Sequence, residues 1–113
     1  MSRDTLYLIQ PGFEDVRQPG PYFVCPHCNV LEGLLASFPK LAEQLDVVRV
    51  PFPRPRAAVI AEVGEEHQSL PLLVVGSDAP PDALAGGDKR FVNQSRRIAE
   101  LLAQRHGFPL LHG

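Results

Sequence analysis

The sequence has no long apolar run, no strong excess of charge of either sign, no tryptophan and only two cysteines. Each shortage narrows the field. The apolar stretch nearest the start, Leu6 to Ile9, is four residues long, too short for the core of a signal peptide or for a membrane span. The expected setting is therefore cytoplasmic, with no membrane partner. A net charge of -2 supplies no general attraction to nucleic acid or to an anionic surface, so no nucleic-acid partner is expected. In a reducing compartment a structural disulfide is improbable. Two cysteines there point to catalysis, redox sensing or metal binding.

What the chain does contain is proline, 12 residues of it in 113, spaced by apolar segments, so stiff connections are expected rather than disorder. The length suits a single domain over residues 1–113. Thr5 to Ile9 reads as a first, buried strand closed by Pro11-Gly12. Gln10 to Tyr22, with Pro11, Gly12, Pro19, Gly20 and Pro21, reads as a loop. Leu31, Leu34, Leu35 and Phe38 then recur at helical spacing, and Pro39 either kinks that helix or opens a second segment running to Leu45. Asp46 to Val50 is a β-branched second strand. After the alternating prolines of Pro51 to Arg56 come a short helix, Ala57 to Val63, stopped by Gly64, and a strand, Leu70 to Val75, with Pro71 at its start. Gly76 to Lys89 reads as a loop and Arg90 to Val92 as a short edge strand. A last helix is expected to start with Asn93 as its cap, bury Ile98, Leu101 and Leu102, and stop at Gly107 with Phe108 folded back.

The chemistry-bearing stretch is Cys25-Pro26-His27-Cys28. Pro26 suits the first position of a helix, which makes Cys25 the residue at its N-cap. A thiolate there faces unsatisfied amides and the positive end of the helix dipole, which favours the charged form, and His27 adds to this when protonated. Cys28, one turn on and pointing inward, is placed to resolve a mixed disulfide on Cys25. The alternative is a structural zinc site, which needs two further ligands where the sequence offers no second CxxC. His67, four residues before Pro71, is the histidine expected to lie near enough to complete a Cys25, Cys28, His67 set, and its plainer explanation is a polar loop residue. His106 suits the last turn of the final helix and His112 the solvated tail. Arg54, Arg56, Arg96 and Arg97 could hold anionic substrate ends, although scattered arginines are usually solvated.

The CxxC at a helix start, the order β-α-β-α-β-β-α and the proline-opened third strand resemble the thioredoxin fold over nearly the whole chain. That resemblance implies an α/β domain with a central mixed four-stranded sheet and helices on both faces, in which Pro71 is cis and faces the dithiol. The Pro26-His27 dipeptide matches that of bacterial periplasmic disulfide oxidases. Leu70-Pro71-Leu72 and Gln94-Ser95 stand where glutaredoxins and the N-terminal domains of glutathione transferases hold the glutathione backbone and its γ-glutamyl carboxylate. The stretches Val24 to Pro39 and Arg90 to Pro109 also look like a bacterial thioredoxin-like family with no assigned function. The resemblance implies a small thiol-disulfide oxidoreductase with no required cofactor, whose partner is a thiol or disulfide substrate or glutathione. A glutathione-binding domain without turnover is the other function it allows. Three departures from the family pattern, the Gln10–Tyr22 loop, the missing tryptophan and the Gly76–Lys89 loop, imply a restricted substrate or partner, and the first loop is expected to rise near the dithiol, where it could cover it.

Overall fold

In the computed structural model, which describes residues 3–112, the elements are β1 (Thr5–Ile9), α1 (Pro26–Ser37), α2 (Pro39–Ala42), β2 (Asp46–Val50), α3 (Ala57–Val63), β3 (Leu72–Val75), β4 (Leu84–Gly86), β5 (Lys89–Val92) and α4 (Ser95–His106). They form a mixed α/β domain around one five-stranded sheet of order β2-β1-β3-β5-β4. β1 and β2 run parallel, and every other pairing is antiparallel. No helix among the described residues is long and apolar enough to cross a membrane.

Alternation along the strands builds two cores. Leu6, Leu8, Leu73, Val75 and Val92 face α1 and α4, meeting Cys28, Leu31, Leu35, Ile98, Leu101 and Leu102. Tyr7, Leu72, Val74 and Phe91 point the other way and meet Val59 and Val63 of α3. Helices therefore cover both faces. In α1 the buried positions Cys28, Leu31 and Leu35 follow helical spacing, so the dithiol helix is seated by the same stripe that carries the second thiol. Glu32 on its flank receives both Arg49 Nε (2.9 Å) and Nη2 (2.7 Å), which ties α1 to β2.

Several sequence expectations need correction. The sheet has five strands, not four, and β5 is internal. The segment read as a Gly76–Lys89 loop contains β4, which pairs with β5 through a two-residue turn, Gly86 opposite Lys89. Gly87 supplies the turn's first central residue at φ +61°, the conformation a type II′ hairpin requires there. A side chain could not replace Gly86, since a Cβ would lie 2.7 Å from the Val63 carbonyl oxygen. The third strand starts at Leu72, two residues later than expected, and the helical segment after Pro39 ends at Ala42 instead of Leu45. The last helix is capped by Gln94, not Asn93. Phe38 leaves the helical path at φ -129° and lies 38% exposed against Phe108, so it is not part of the buried stripe.

At the end of the sheet where β1 begins, Asp4 is 2% exposed and fully engaged. Its carboxylate accepts from Arg105 Nε (2.7 Å) and Nη2 (2.9 Å), from the Gly76 amide (2.9 Å), and pairs with His106 Nε2 at 2.8 Å. Arg105 also donates to the Ser77 and Asp78 carbonyls. One carboxylate thus joins β1, the exit of β3 and the end of α4. Burial alone would raise the Asp4 carboxyl, but the bonds from Arg105, Gly76 and His106 outweigh it and hold it below the usual carboxylate range.

The stability linked to this depressed carboxyl is complete above the ordinary unfolded value of about 4 and is lost as pH falls through the lower folded value. Asp4→Asn is expected to cost about 2 kcal/mol near pH 7, less than a wholly buried pair, because the Arg105 side chain is 20% exposed. Urea unfolding from pH 7 to 3 should show a flatter acid limb in Asp4→Asn than in the wild type. Parallel limbs would contradict the assignment.

Candidate active site

β1 and β2 end side by side, with the Gln10 amide bonded to the Val50 carbonyl at 2.8 Å, and both chains then leave the sheet at the same end. The first becomes the Gln10–Tyr22 loop and returns to start α1. The second becomes the Pro51–Arg56 connection. The β1–β3 register pairs Tyr7 with Leu72, and its continuation brings Pro71 and Leu70 beside Leu8 and Ile9. The β3–β5 register pairs Leu73 with Val92, and its continuation brings Gln94 and Ser95 to that end too. Cys25, Pro26, His27, Cys28, Leu70, Pro71, Gln94 and Ser95 therefore share one end of the sheet. The Leu70–Pro71 and Arg54–Pro55 bonds are cis.

Cys25 caps α1 with its own sulfur: the Cys28 amide donates to Cys25 Sγ at 3.2 Å. The sulfur thus sits at the positive end of the helix dipole and satisfies a first-turn amide that has no partner within the helix. Pro26 occupies the first helical position, where its missing donor costs nothing. Cys25 is partly exposed and Cys28 is buried, both as free thiols. Cys28 Sγ sits against the end of β1, accepting from the Ile9 amide at 3.5 Å. Burial above all, then the hydrogen bond to Cys25 and the charge on it, push the Cys28 thiol up to about 12, the Ile9 amide opposing. The two sulfurs are chemically unequal. His27 is exposed beside them.

A cavity of about 240 Å³ opens on Cys25 and Pro26, walled by Phe13, Phe23 and Phe52. Phe13 bridges to Phe23 and stacks on Phe52 at 4.3 Å with rings 8° apart, so the loop before the dithiol leans on the connection after β2. Asp15 and Gln18 of that loop also line the cavity, which places the loop beside Cys25 as its position suggested. Tyr22, by contrast, is 72% exposed and is not among the lining residues.

The structure does not bring His67 to the dithiol. Its ring packs against Phe91 at 4.8 Å, and Phe91 belongs to the core on the α3 face while Cys28 belongs to the other. The expectation that His67 lies near the thiols is therefore corrected: the sheet separates them. Among the described residues no three His, Cys, Asp or Glu side chains are grouped to hold a metal.

Of the four arginines expected to be solvated, Arg56 is buried. It is 5% exposed, donates through Nε (3.0 Å) and Nη2 (2.6 Å) to the Phe52 carbonyl and through Nη1 to the Gln68 carbonyl (2.8 Å), and lies over the Phe52 ring at 5.7 Å. Burial and then Arg54 lower its affinity for the proton, and the two thiols oppose that shift only when ionised. Arg97 instead pairs with Asp82 and Glu100. No local pattern distinguishes Arg56, because one of its two carbonyl partners is 12 residues away.

With iodoacetamide near pH 8, native protein is expected to carry label on Cys25 alone. A thiol ionising near 12 is only about one part in ten thousand thiolate there, and the thiolate is the nucleophile. Peptide mass mapping should show Cys28 labelled only after unfolding, and equal labelling of both in the native state would contradict the buried assignment.

Comparison with curated proteins and with solved structures found no match. A family model does match, over residues 3–110, and its description is DUF3088, protein of unknown function. Since that match spans nearly the whole chain, the protein belongs to the DUF3088 family.

Proposed function

We propose that the protein is a small thiol-disulfide oxidoreductase working through Cys25 and Cys28. The observation that carries this is the inequality of the two thiols: a partly exposed sulfur capping a helix, and a buried one pushed up to about 12 one turn behind it. That is the division of labour that disulfide exchange needs. Cys25 thiolate attacks one sulfur of a disulfide, its Sγ bonds to that sulfur, and the old S–S bond breaks with its electron pair leaving on the second thiolate, which takes a proton from water. Burial still dominates at Cys28. However, once Cys25 is neutral in the mixed disulfide, the Cys25 charge and hydrogen bond that had raised the Cys28 thiol are gone, so it becomes more acidic when it is needed. Having released its proton to solvent, it attacks Cys25 Sγ and expels the bound thiolate. The pair has then lost two electrons, and the substrate disulfide has become two thiols. Two equivalents of a small thiol of the glutathione class reverse these steps and restore the pair.

A thioredoxin-like assignment of the fold is supported by the order β2-β1-β3-β5 with its parallel β1–β2 pair, β4 being an added edge strand. The cis bond at Leu70–Pro71 agrees with it. Binding of glutathione is supported by the convergence of Leu70-Pro71 and of the exposed Gln94 and half-buried Ser95 on the dithiol end.

Cys25→Ser is expected to lower disulfide exchange with oxidised glutathione by about a thousandfold or more, because a hydroxyl is not an effective nucleophile at this pH. Cys28→Ser should keep the first step and accumulate a mixed disulfide, visible as an added glutathionyl mass. Full activity in Cys25→Ser would overturn the proposal.

A further inference from the structure

Beside the dithiol lies a larger cavity, of about 570 Å³, that disulfide exchange at Cys25 does not by itself require. Glu14, Asp15 and Arg17 of the first loop face Phe52, Arg54 and Arg56 of the connection after β2 across it. Asp15 and Phe52 also line the cavity on Cys25, so the two spaces adjoin. Its volume is in the range that holds a small molecule.

The charges lining it do not balance. Arg56 is 95% buried (5% exposed), cannot shed its proton, and has only the Phe52 and Gln68 carbonyls as side-chain acceptors. None of the ion pairs among the described residues includes it. Carbonyl dipoles offset part of a buried cation's desolvation, and a full negative charge offsets far more. Arg17 and Arg54 add two exposed positive charges to the same walls. Against these three stand two negative charges, the exposed Glu14 and the half-buried Asp15, whose Oδ1 accepts from the Arg17 amide at 3.0 Å, so the lining carries one net positive charge.

We propose that this cavity receives a carboxylate of a small disulfide whose sulfur reaches Cys25, so that the substrates are carboxylate-bearing low-molecular-weight disulfides. Arg56 is the buried anchor, and Arg17 and Arg54 draw the anion in. The substrate class rests on the oxidoreductase proposal, whereas carboxylate binding in the cavity does not depend on it.

Three symmetric disulfides that differ in their ends test this: 3,3′-dithiodipropionate (anionic), bis(2-hydroxyethyl) disulfide (neutral) and cystamine (cationic). Turnover by the intact protein is expected to favour the anionic over the neutral disulfide by about tenfold in kcat/KM, the worth of a charge-assisted hydrogen-bonded contact, with cystamine slowest. Arg56→Met should remove most of that preference. Should Arg56→Met not fold, Arg17→Gln/Arg54→Gln, altered only at exposed positions, should reduce the preference by about threefold. Equal rates with all three disulfides, or a preference that survives in every folded variant, would overturn the substrate class. Separately, Cys25→Ser/Cys28→Ser, unable to exchange disulfides, is titrated with dithiodipropionate by NMR. Saturable shifts at Phe52 and Arg56 are expected, and no saturable change would overturn the carboxylate site. Saturation without turnover of any disulfide would uphold carboxylate binding and defeat the oxidoreductase proposal and the substrate class together.

Discussion

Burying a thiol where a central strand hands over to the next helix imposes a chain of requirements. Cys28 is 2% exposed, held in the first turn of α1 against the last residue of β1, whose Ile9 amide is directed at its sulfur. That position holds only if α1 is seated firmly, which Leu31 and Leu35 provide by packing in the same core as β1. With Cys28 inside, Cys25 is forced to the rim at the helix start, where its sulfur accepts the Cys28 amide. One packing decision thus makes one sulfur reachable and the other protected.

The same end of the sheet gathers the segments that carry no regular structure. The loop after β1 and the connection after β2 meet through the Phe13–Phe52 stack, and Arg56 secures the connection to the Gln68 carbonyl just ahead of Leu70-Pro71. Prolines shorten the conformational search of these segments before folding. Aromatic stacking and the buried guanidinium then fix where they settle. The opposite end is closed by Asp4, so the closed end and the open, chemistry-bearing end lie at opposite ends of β1.

How much of this was legible in the sequence depended on how local each signal was. β1, the start of α1 at Pro26, β2, α3 up to Gly64, and α4 ending at Gly107 carry their own patterns, and the structure has them within a residue or two of expectation. β4 was missed because its three residues, Leu84–Gly86, carry no alternation of their own. It becomes a strand only because Gly87 turns it onto β5. The Asp4 cluster was invisible for a different reason: its partners Arg105 and His106 lie 101 and 102 residues away. At the site, the CxxC spacing showed which residues stand together. It could not show that Arg56 is buried near them or that His67 lies across the sheet against Phe91, since both depend on which face a loop finally covers.

The most direct measurement is the redox equilibrium of the protein in glutathione buffers of stepped ratio, followed by intact mass with zinc content read on the same sample. A single two-electron transition between dithiol and an intramolecular Cys25–Cys28 disulfide is expected, reversible and free of stoichiometric metal. Two thiols that never form that disulfide, or one zinc per chain holding them reduced, would contradict it.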